Sequence, residues 1–334
     1  MLGLEQFGIS HEFGSHAGQS RIIRKAYFEN SDYVPLLTRA YENWKALEEE
    51  TGERLYFKTG LAYFGSPDHV MMQGVKKSAS LYNIPLEIFT GSSNHQRFPQ
   101  FTIPASFEGL WESDAGFVTP EKAIQLYGRQ AIKKGAEIHS NERILDWKKD
   151  GNGVIVTTDK NTYHSQKLII TAGAWAKSLI PGLNRILKIT RQFVAWIKPK
   201  RWNDFMLDYF PCWLIADEKP GCYYGFPILP KEFGDPQGLK LAHHYPALET
   251  DPDKVDREIN AEDEKDFQYV LDRYFPGVFQ SLLSYKICLY ANSPDEDFII
   301  DNLPGYEDAV TIACGFSGHV NHLYVCQFLF MGCE

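Results

Sequence analysis

The chain has 334 residues, 44% of them hydrophobic, which is enough for two packed units or one large α/β unit. A formal net charge of −9 excludes a general nucleic-acid or anionic-membrane partner, and an anionic small substrate needs local cations against that background. Six cysteines without a C-x-x-C pair or a zinc-like Cys/His spacing indicate reduced thiols in an intracellular compartment, and no apolar run is long enough to span a bilayer.

Residues 2–7 read as the last half of a strand with Glu5 near its end, followed by the polar glycine loop Gly14-Ser15-His16-Ala17-Gly18. Val34, Leu37, Tyr41, Trp44 and Leu47 recur at helical spacing, so 32–51 is a helix that Asp32 can cap and Gly52 ends. Short strands are expected at 55–57 and 61–64, a second helix at 68–82, and a mixed Pro-rich stretch over 83–118. Thr119-Pro120-Glu121 opens a third helix, and Lys133-Lys134-Gly135 closes it with cations against its negative end. A strand at 136–140 follows, then a hairpin signal, Asp150-Gly151-Asn152-Gly153, between 144–148 and 154–158. Residues 168–173, LIITAG, form a buried strand ending in glycine, and 174–179 start a helix.

From about Ile189 the texture turns aromatic and β-branched, with alternating runs at 193–197, 222–226 and 239–243 that indicate an antiparallel sheet. A helix at 261–274 is broken by Pro276-Gly277. The chain then returns through 285–290 and 298–301 to 310–319, VTIACGFSGH. This last stretch reads as a buried strand entering a glycine-rich loop, where bare backbone N–H groups suit the electron-rich edge of a planar cofactor or a phosphate. The fold class is α/β (α+β): a nucleotide-binding core interrupted by an antiparallel-sheet substrate unit, with the site between them.

Several residues could carry chemistry. Glu5 sits where a dinucleotide-binding fold puts its ribose-binding acid, although the glycine fingerprint belongs about twenty residues earlier. Only four residues precede Glu5, and a surface charge is the alternative. Arg21 and Arg24 would share a face of a helical turn, able to grip a carboxylate or an anionic cofactor, or else form a solvated basic turn with Lys25. Cys288, between Ile287 and Leu289, has the position of a small core hydrophobe. His243 and His244 are adjacent on a strand and point to opposite faces, while Lys240 and His244 share one. Tyr224 is a pocket wall or sheet packing.

Taken together, HAGQSRIIRKAYFE (16–29), YYGFP (223–227), GLKLAHH (238–244), KICLY (286–290), SPDEDFIID (293–301) and IACGFSGH (312–319) resemble, in this order, the monomeric sarcosine oxidase family. These are FAD-dependent amine oxidases of the D-amino-acid oxidase superfamily, and the likeness is greatest to the animal peroxisomal sarcosine/L-pipecolate oxidases. It runs from about Leu4 to His319. The resemblance implies a Rossmann-like FAD-binding domain and oxidation of a secondary or cyclic amino acid by hydride transfer to the flavin, with imine hydrolysis and reduction of oxygen to hydrogen peroxide. It implies that Cys288 bonds covalently to the flavin ring, that Arg21 lies beside it, that Arg24 binds the substrate carboxylate and that Lys240 activates oxygen. Tyr224 and His244 match substrate-pocket residues. Glu5 matches the acid on the adenosine ribose, and Ser20, Ile144, Ala172, Gly173, Gly315, Phe316, Gly318 and His319 match cofactor contacts. The implied partners are a small amino acid and oxygen, in a monomer without metal, nucleic acid or membrane. The implied compartment is the peroxisome, although the chain ends Gly-Cys-Glu without the peroxisomal tripeptide, which leaves the cytosol open.

The pattern departs from the family at both ends. The first strand, glycine fingerprint and first helix are missing before Glu5. After His319 the family's Gly-Phe-Lys reads Val320-Asn321-His322, so His322 stands where a second carboxylate-binding lysine is expected. On this reading 1–64, 119–188 and 286–319 form the FAD-binding domain without its first βα unit, and 65–118 with 189–285 form the substrate domain. Residues 320–334 are then an unrelated tail, read through from an intron or a gene-model artefact, since a valine codon begins with GT. The alternative expectation is an inactive splice product or fragment of such an oxidase, without FAD. It would be poorly soluble, because losing a buried strand and helix exceeds the roughly 5–15 kcal/mol by which a domain is stable.

Overall fold

The computed structural model describes residues 1–90, 92–217, 221–245 and 247–318. The tail 320–334, with His319 and His322, lies outside them. The largest element is an eight-stranded mixed sheet. Its strand order is Phe279–Asn292, Lys188–Pro199, Leu239–Tyr245, Gly221–Phe226, Cys212–Asp217, Leu61–Gly65, Glu108–Glu112, Glu87–Thr90. Every neighbouring pair is antiparallel except Cys212–Asp217 with Leu61–Gly65, which run parallel. Leu61–Gly65 and the whole of Phe279–Asn292 therefore belong to this sheet, whereas the sequence-based boundaries put 61–64 and 286–292 with the cofactor unit.

The alternation along these strands sorts side chains into two cores. On one face Trp196, Leu214, Tyr224, Phe226, Ala242 and Cys288 pack together with Met71, Met72 and Val75 of the Val70–Leu81 helix. On the other face Trp213, Ile215, Tyr223, Leu239 and Leu241 pack against Val270, Leu271 and Tyr274 of the Ala261–Tyr274 helix. That helix begins where its chemistry places it: Asn260 and Asp263 form a reciprocal capping box.

The remaining strands build smaller sheets. Leu168–Ile170 lies parallel to Val310–Cys314, which pairs antiparallel with Ile299–Asn302; Leu2–Leu4 lies parallel to Glu137–His139. Parallel strands that run into glycine are thus present at Leu168–Ile170 and Val310–Cys314, whereas the parallel pair near the start of the chain, Leu2–Leu4 with Glu137–His139, does not end in glycine. Gly173 and Gly315 follow two of them at φ +53° and +66°, a region open to glycine without strain. The Asp150–Gly153 hairpin is also present.

Three local expectations are corrected. Asp32 does not cap the first helix. Asn30 caps a short 3-10 turn at Ser31–Tyr33, and the α-helix Val34–Thr51 starts on proline geometry with no side-chain cap. Thr119 likewise makes no capping bond to Pro120–Lys133. Arg21 and Arg24 are not on a helical turn: Arg21–Ile23 is a strand paired with Gly116–Val118, and neither arginine is solvated.

Candidate active site

Two stretches of chain converge on the first core. The loop Ser15–Ser20 enters from the N-terminal side, held by Glu121 at the start of its helix. One carboxylate oxygen of Glu121 accepts the N–H groups of Gly18 at 2.6 Å and Gln19 at 2.9 Å. Gly18 has φ +113°, and a Cβ there would lie 3.5 Å from Arg21 Nη1 and 3.6 Å from Lys240 Nζ. From the sheet come Lys240 on Leu239–Tyr245 and Cys288 on Phe279–Asn292, 2% and 1% exposed.

The cations are fixed by backbone. Lys240 Nζ donates to Gly18 O at 2.6 Å, Ser20 O at 2.8 Å and Ser20 Oγ at 3.1 Å, and lies over the Phe226 and Trp196 rings. Three acceptors match three ammonium protons. Burial opposes them and pushes the Lys240 pKa well down, and the neighbouring Arg21 charge adds to that. Arg21 donates to the carbonyls of Ser15 and Ala17 at 2.5 Å and of Ser20 at 2.8 Å, and its Nη2 stands 3.9 Å from Cys288 Sγ. Among the described residues these hydrogen bonds end on carbonyls and one hydroxyl, so two positive charges face the same space with no carboxylate bonded to either.

Arg24 differs. Its Nη2 lies 2.7 and 2.9 Å from the two carboxylate oxygens of Glu29, and its guanidinium is flanked by the rings of Tyr27 and Phe28 at 4.3 and 4.4 Å. Burial works against the charge, but Glu29, with Tyr63 and Tyr27, outweighs it and raises the Arg24 pKa. Behind the arginine the fully buried Glu112 accepts the N–H of Lys25 at 2.6 Å and of Ala26 at 3.2 Å, and the Tyr63 hydroxyl at 2.9 Å. Burial raises its carboxyl pKa.

Arg21, Arg24, Tyr224, His244, Tyr290 and Gly318 line one cavity of about 60 Å³, which Tyr27, Phe28 and Glu29 also border. His244 Nδ1 lies 3.2 Å from the Tyr290 hydroxyl, and the Tyr290 and Tyr224 phenols are neighbours in the same cavity. Burial raises both phenol pKa values, so both stay neutral. The pairing register slips between Cys222 and Tyr223, which leaves His244 unopposed, a bulge that turns its ring towards Tyr224.

The other sequence-predicted residues lie around this centre. Gly315–Gly318 is stapled to the end of the Cys288 strand, since Ser317 N–H donates to Ala291 O and the Ser317 hydroxyl accepts Ser293 N–H. Phe316 bridges Asn292 and packs on Phe298. Ser20 is fully buried under Lys240. Ala172 and Ile144 border the core of the parallel strands, and Gly173 turns the chain after them. Glu5 is outside the cavity: its carboxylate accepts Phe7 N–H at 2.9 Å and its side chain is 38% exposed.

Residues that sequence reasoning left without a role are Glu29, Glu112, Glu121, His16 and Tyr290. Tyr290 was accessible, because it stands two residues from Cys288 on one strand and so shares its face. Glu112 and Glu121 had no signal, since their partners lie 87 and 103 residues away.

The residues fit a flavin by three observations. Gly18 leaves room beside two cations where a side chain would stand. His16 Nε2 is buried in the same loop without a partner among the described residues. The donors offered are cationic, which suits an electron-rich ring.

The comparisons agree. The family model described as DAO, FAD dependent oxidoreductase, matches residues 3–320. A monomeric sarcosine oxidase of Streptomyces avermitilis is 34% identical over 320 residues, 96% of this chain and 83% of the relative. An N-methyl-L-tryptophan oxidase of Salmonella heidelberg is 33% identical over 312 residues, 92% of this chain and 81% of the relative. In fold, the open form of NikD, described as an unusual amino acid oxidase, superposes with a TM-score of 0.81 at 19% identity, covering 97% of this chain and 86% of that one. Amadoriase I of Aspergillus fumigatus superposes at 0.78 and 16% identity, over 97% of this chain and 77% of that one. With these matches spanning the site just described, the chain belongs to the DAO family of FAD-dependent oxidoreductases.

Proposed function

We propose that this chain oxidises the carbon–nitrogen bond of a small secondary or cyclic amino acid of the sarcosine or L-pipecolate kind, with reduction of oxygen to hydrogen peroxide. The observation that carries this reading is the small cavity of about 60 Å³ with Arg24 on one side and Tyr224, His244 and Tyr290 on another. The names of the relatives, sarcosine oxidase and N-methyl-L-tryptophan oxidase, support amine oxidation.

Bound FAD supplies the acceptor for two electrons, which then pass to oxygen. The chain's own residues do the rest. Arg24 holds the substrate carboxylate: Glu29 already seats two carboxylate oxygens on its Nη2, while Nη1 makes one long contact of 3.5 Å to Ala26 O and remains open to a second anion. Glu112 fixes the backbone after Arg24 so that the guanidinium keeps its place. The neutral Tyr224 and Tyr290 phenols, with His244 Nδ1 3.2 Å from the Tyr290 hydroxyl, border the amine end and offer hydrogen-bonding groups. Lys240, held by three oxygen acceptors, faces the space beside Gly18, and its ammonium form would stabilise negative charge developing there on oxygen. Cys288 presents its sulfur to the same space, as the covalent anchor. The net change is balanced: the substrate loses two electrons and two protons to become an imine, oxygen gains them as hydrogen peroxide, and water hydrolyses the imine.

The test is to purify the chain, precipitate it with acid and follow the yellow colour. Peroxide release is then measured with sarcosine, L-pipecolate and N-methyl-L-tryptophan. Colour retained on the protein and faster peroxide release from the first two are expected. Faster turnover of N-methyl-L-tryptophan, or no peroxide from any of the three, would overturn the reading.

A further inference from the structure

The reverse face of the same sheet carries a second cavity, of about 300 Å³ against about 60 Å³ for the first. That is the lower end of the roughly 300–1,000 Å³ of small-molecule sites. It lies between the sheet and the first turns of the Ala261–Tyr274 helix. Its apolar walls are Phe193, Leu241, Leu248 and Phe267, with the Phe193 and Phe267 rings edge to face at 6.3 Å. None of these residues serves the redox site.

The polar lining has a definite sign. Arg191 is committed: Nε donates to Asp256 O, Nη2 to Glu258 O, and Nη1 and Nη2 to the two oxygens of Asp263, at 2.6–2.9 Å. The positive end of the helix is committed too. Asn260 Oδ1 accepts the N–H groups of Glu262 and Asp263, and Asp263 accepts that of Asn260. With those charges answered, Asp266 and Glu262 leave the cavity negative. Among the described residues Asp266 contacts the His243 Nδ1, at 3.2 Å, and Glu262 has a loose, exposed contact with Lys265 at 3.9 Å. Tyr223 also lines the cavity. It is 1% exposed, its ring stacks on His243 at 4.7 Å, and its hydroxyl is buried with no partner among the described residues. Such a hydroxyl is costly unless something supplies a hydrogen bond.

We propose that this cavity is a second ligand site, specific for an organic ammonium ion with an apolar body. The ammonium group binds Asp266, with the Glu262 charge nearby and the Tyr223 hydroxyl completing the polar end. The body lies between Phe193, Phe267, Leu241 and Leu248, where aromatic faces attract a cation. An amine that also carries a carboxylate is repelled by the same two acids, so this site selects against the amino acids that Arg24 would hold. The proposal stands apart from the redox reading, because it uses residues of the opposite face.

Isothermal titration of benzylammonium chloride into the full chain at neutral pH tests it, with benzyl alcohol, benzoate and sarcosine as controls. Saturable binding of benzylammonium is expected, weakened about tenfold or more in Asp266→Asn by loss of a charge-assisted bond and severalfold in Tyr223→Phe. Both variants should melt like the parent, since Asp266 is 38% exposed on the helix and the Tyr223 hydroxyl has no partner to lose. Should Asp266→Asn melt early, Glu262→Gln carries the same comparison. No saturable heat, equal binding of benzyl alcohol or benzoate, or undiminished binding in the acidic-site variant would overturn the proposal; the last would place the amine in the Arg24 cavity.

Discussion

Tyr223 and Tyr224 are neighbours, as are His243 and His244, yet each pair is divided between two different chemical environments. Tyr224 and His244 border a small cavity with two arginines. Tyr223 and His243 border a larger one in which the acids outnumber the free cations. One sheet therefore separates a face arranged for anions from a face arranged for cations, using the same residue types one position apart. What differs is the element that covers each face. The Ser15–Ser20 loop and Arg24 bring positive charge to one side; the acidic first turn of the Ala261–Tyr274 helix brings negative charge to the other.

Substitutions can break or sharpen this contrast. The largest expected effect is on the cationic face. Lys240→Met should slow reoxidation of the reduced enzyme by oxygen on the order of 10²–10³-fold, as for loss of one preorganised charge-stabilising donor, and slow reduction by substrate far less. Stopped-flow traces of the two half-reactions check this, and equal slowing of both would remove Lys240 from the oxygen step. Next, Arg24→Ala should lower kcat/KM by about 100-fold, because it removes the carboxylate seat and the ion pair with Glu29. Glu29→Gln should move KM in the opposite direction, to lower values, by freeing the guanidinium.

A third prediction concerns acid. Burial first, and then the nearby His11, hold the His16 pKa down at about 4, against 6.5 for an ordinary histidine. The unfolded chain therefore takes up the proton before the folded one. The stability tied to neutral His16 is complete above pH 6.5 and is lost as pH falls towards 4. The loss should amount to at most roughly 3 kcal/mol. Denaturant unfolding at pH 7 and pH 4.5 measures it, and His16→Asn should flatten the slope. The smallest effect belongs to the opposite face. Tyr223→Phe should leave turnover unchanged and alter stability by under about 1 kcal/mol, towards greater stability, since it removes an unpartnered buried hydroxyl. A large loss of activity there would show that the two faces are not independent.

Much of this was visible in the order of residues. The runs at 193–197, 222–226 and 239–243 carry the period of two, and all three are strands of the large sheet. The 261–274 helix has its capping residues in place and the boundaries expected of it. Lys240 and His244 do project to one side, Lys240 over the Trp196 and Phe226 rings and His244 against Tyr224. The arginines were misjudged in conformation, because i,i+3 spacing suits a helical turn equally well. Only pairing with Gly116–Val118, about ninety residues further on, makes Arg21–Ile23 a strand. The capping role given to Asp32 failed for a similar reason. Asn30 two positions earlier closes a tighter turn, and the following proline starts the α-helix without help.

Short-range order is therefore written into local composition, because alternation and capping act over a few residues and need no partner. The charges at the two cavities are different. A buried cation is tolerated only where specific acceptors surround it. For Lys240 these are Gly18 O, Ser20 O and Ser20 Oγ, more than two hundred residues away along the chain. Folding alone brings that loop under that lysine, and folding alone pairs Arg191 with Asp263 at the wall of the second cavity.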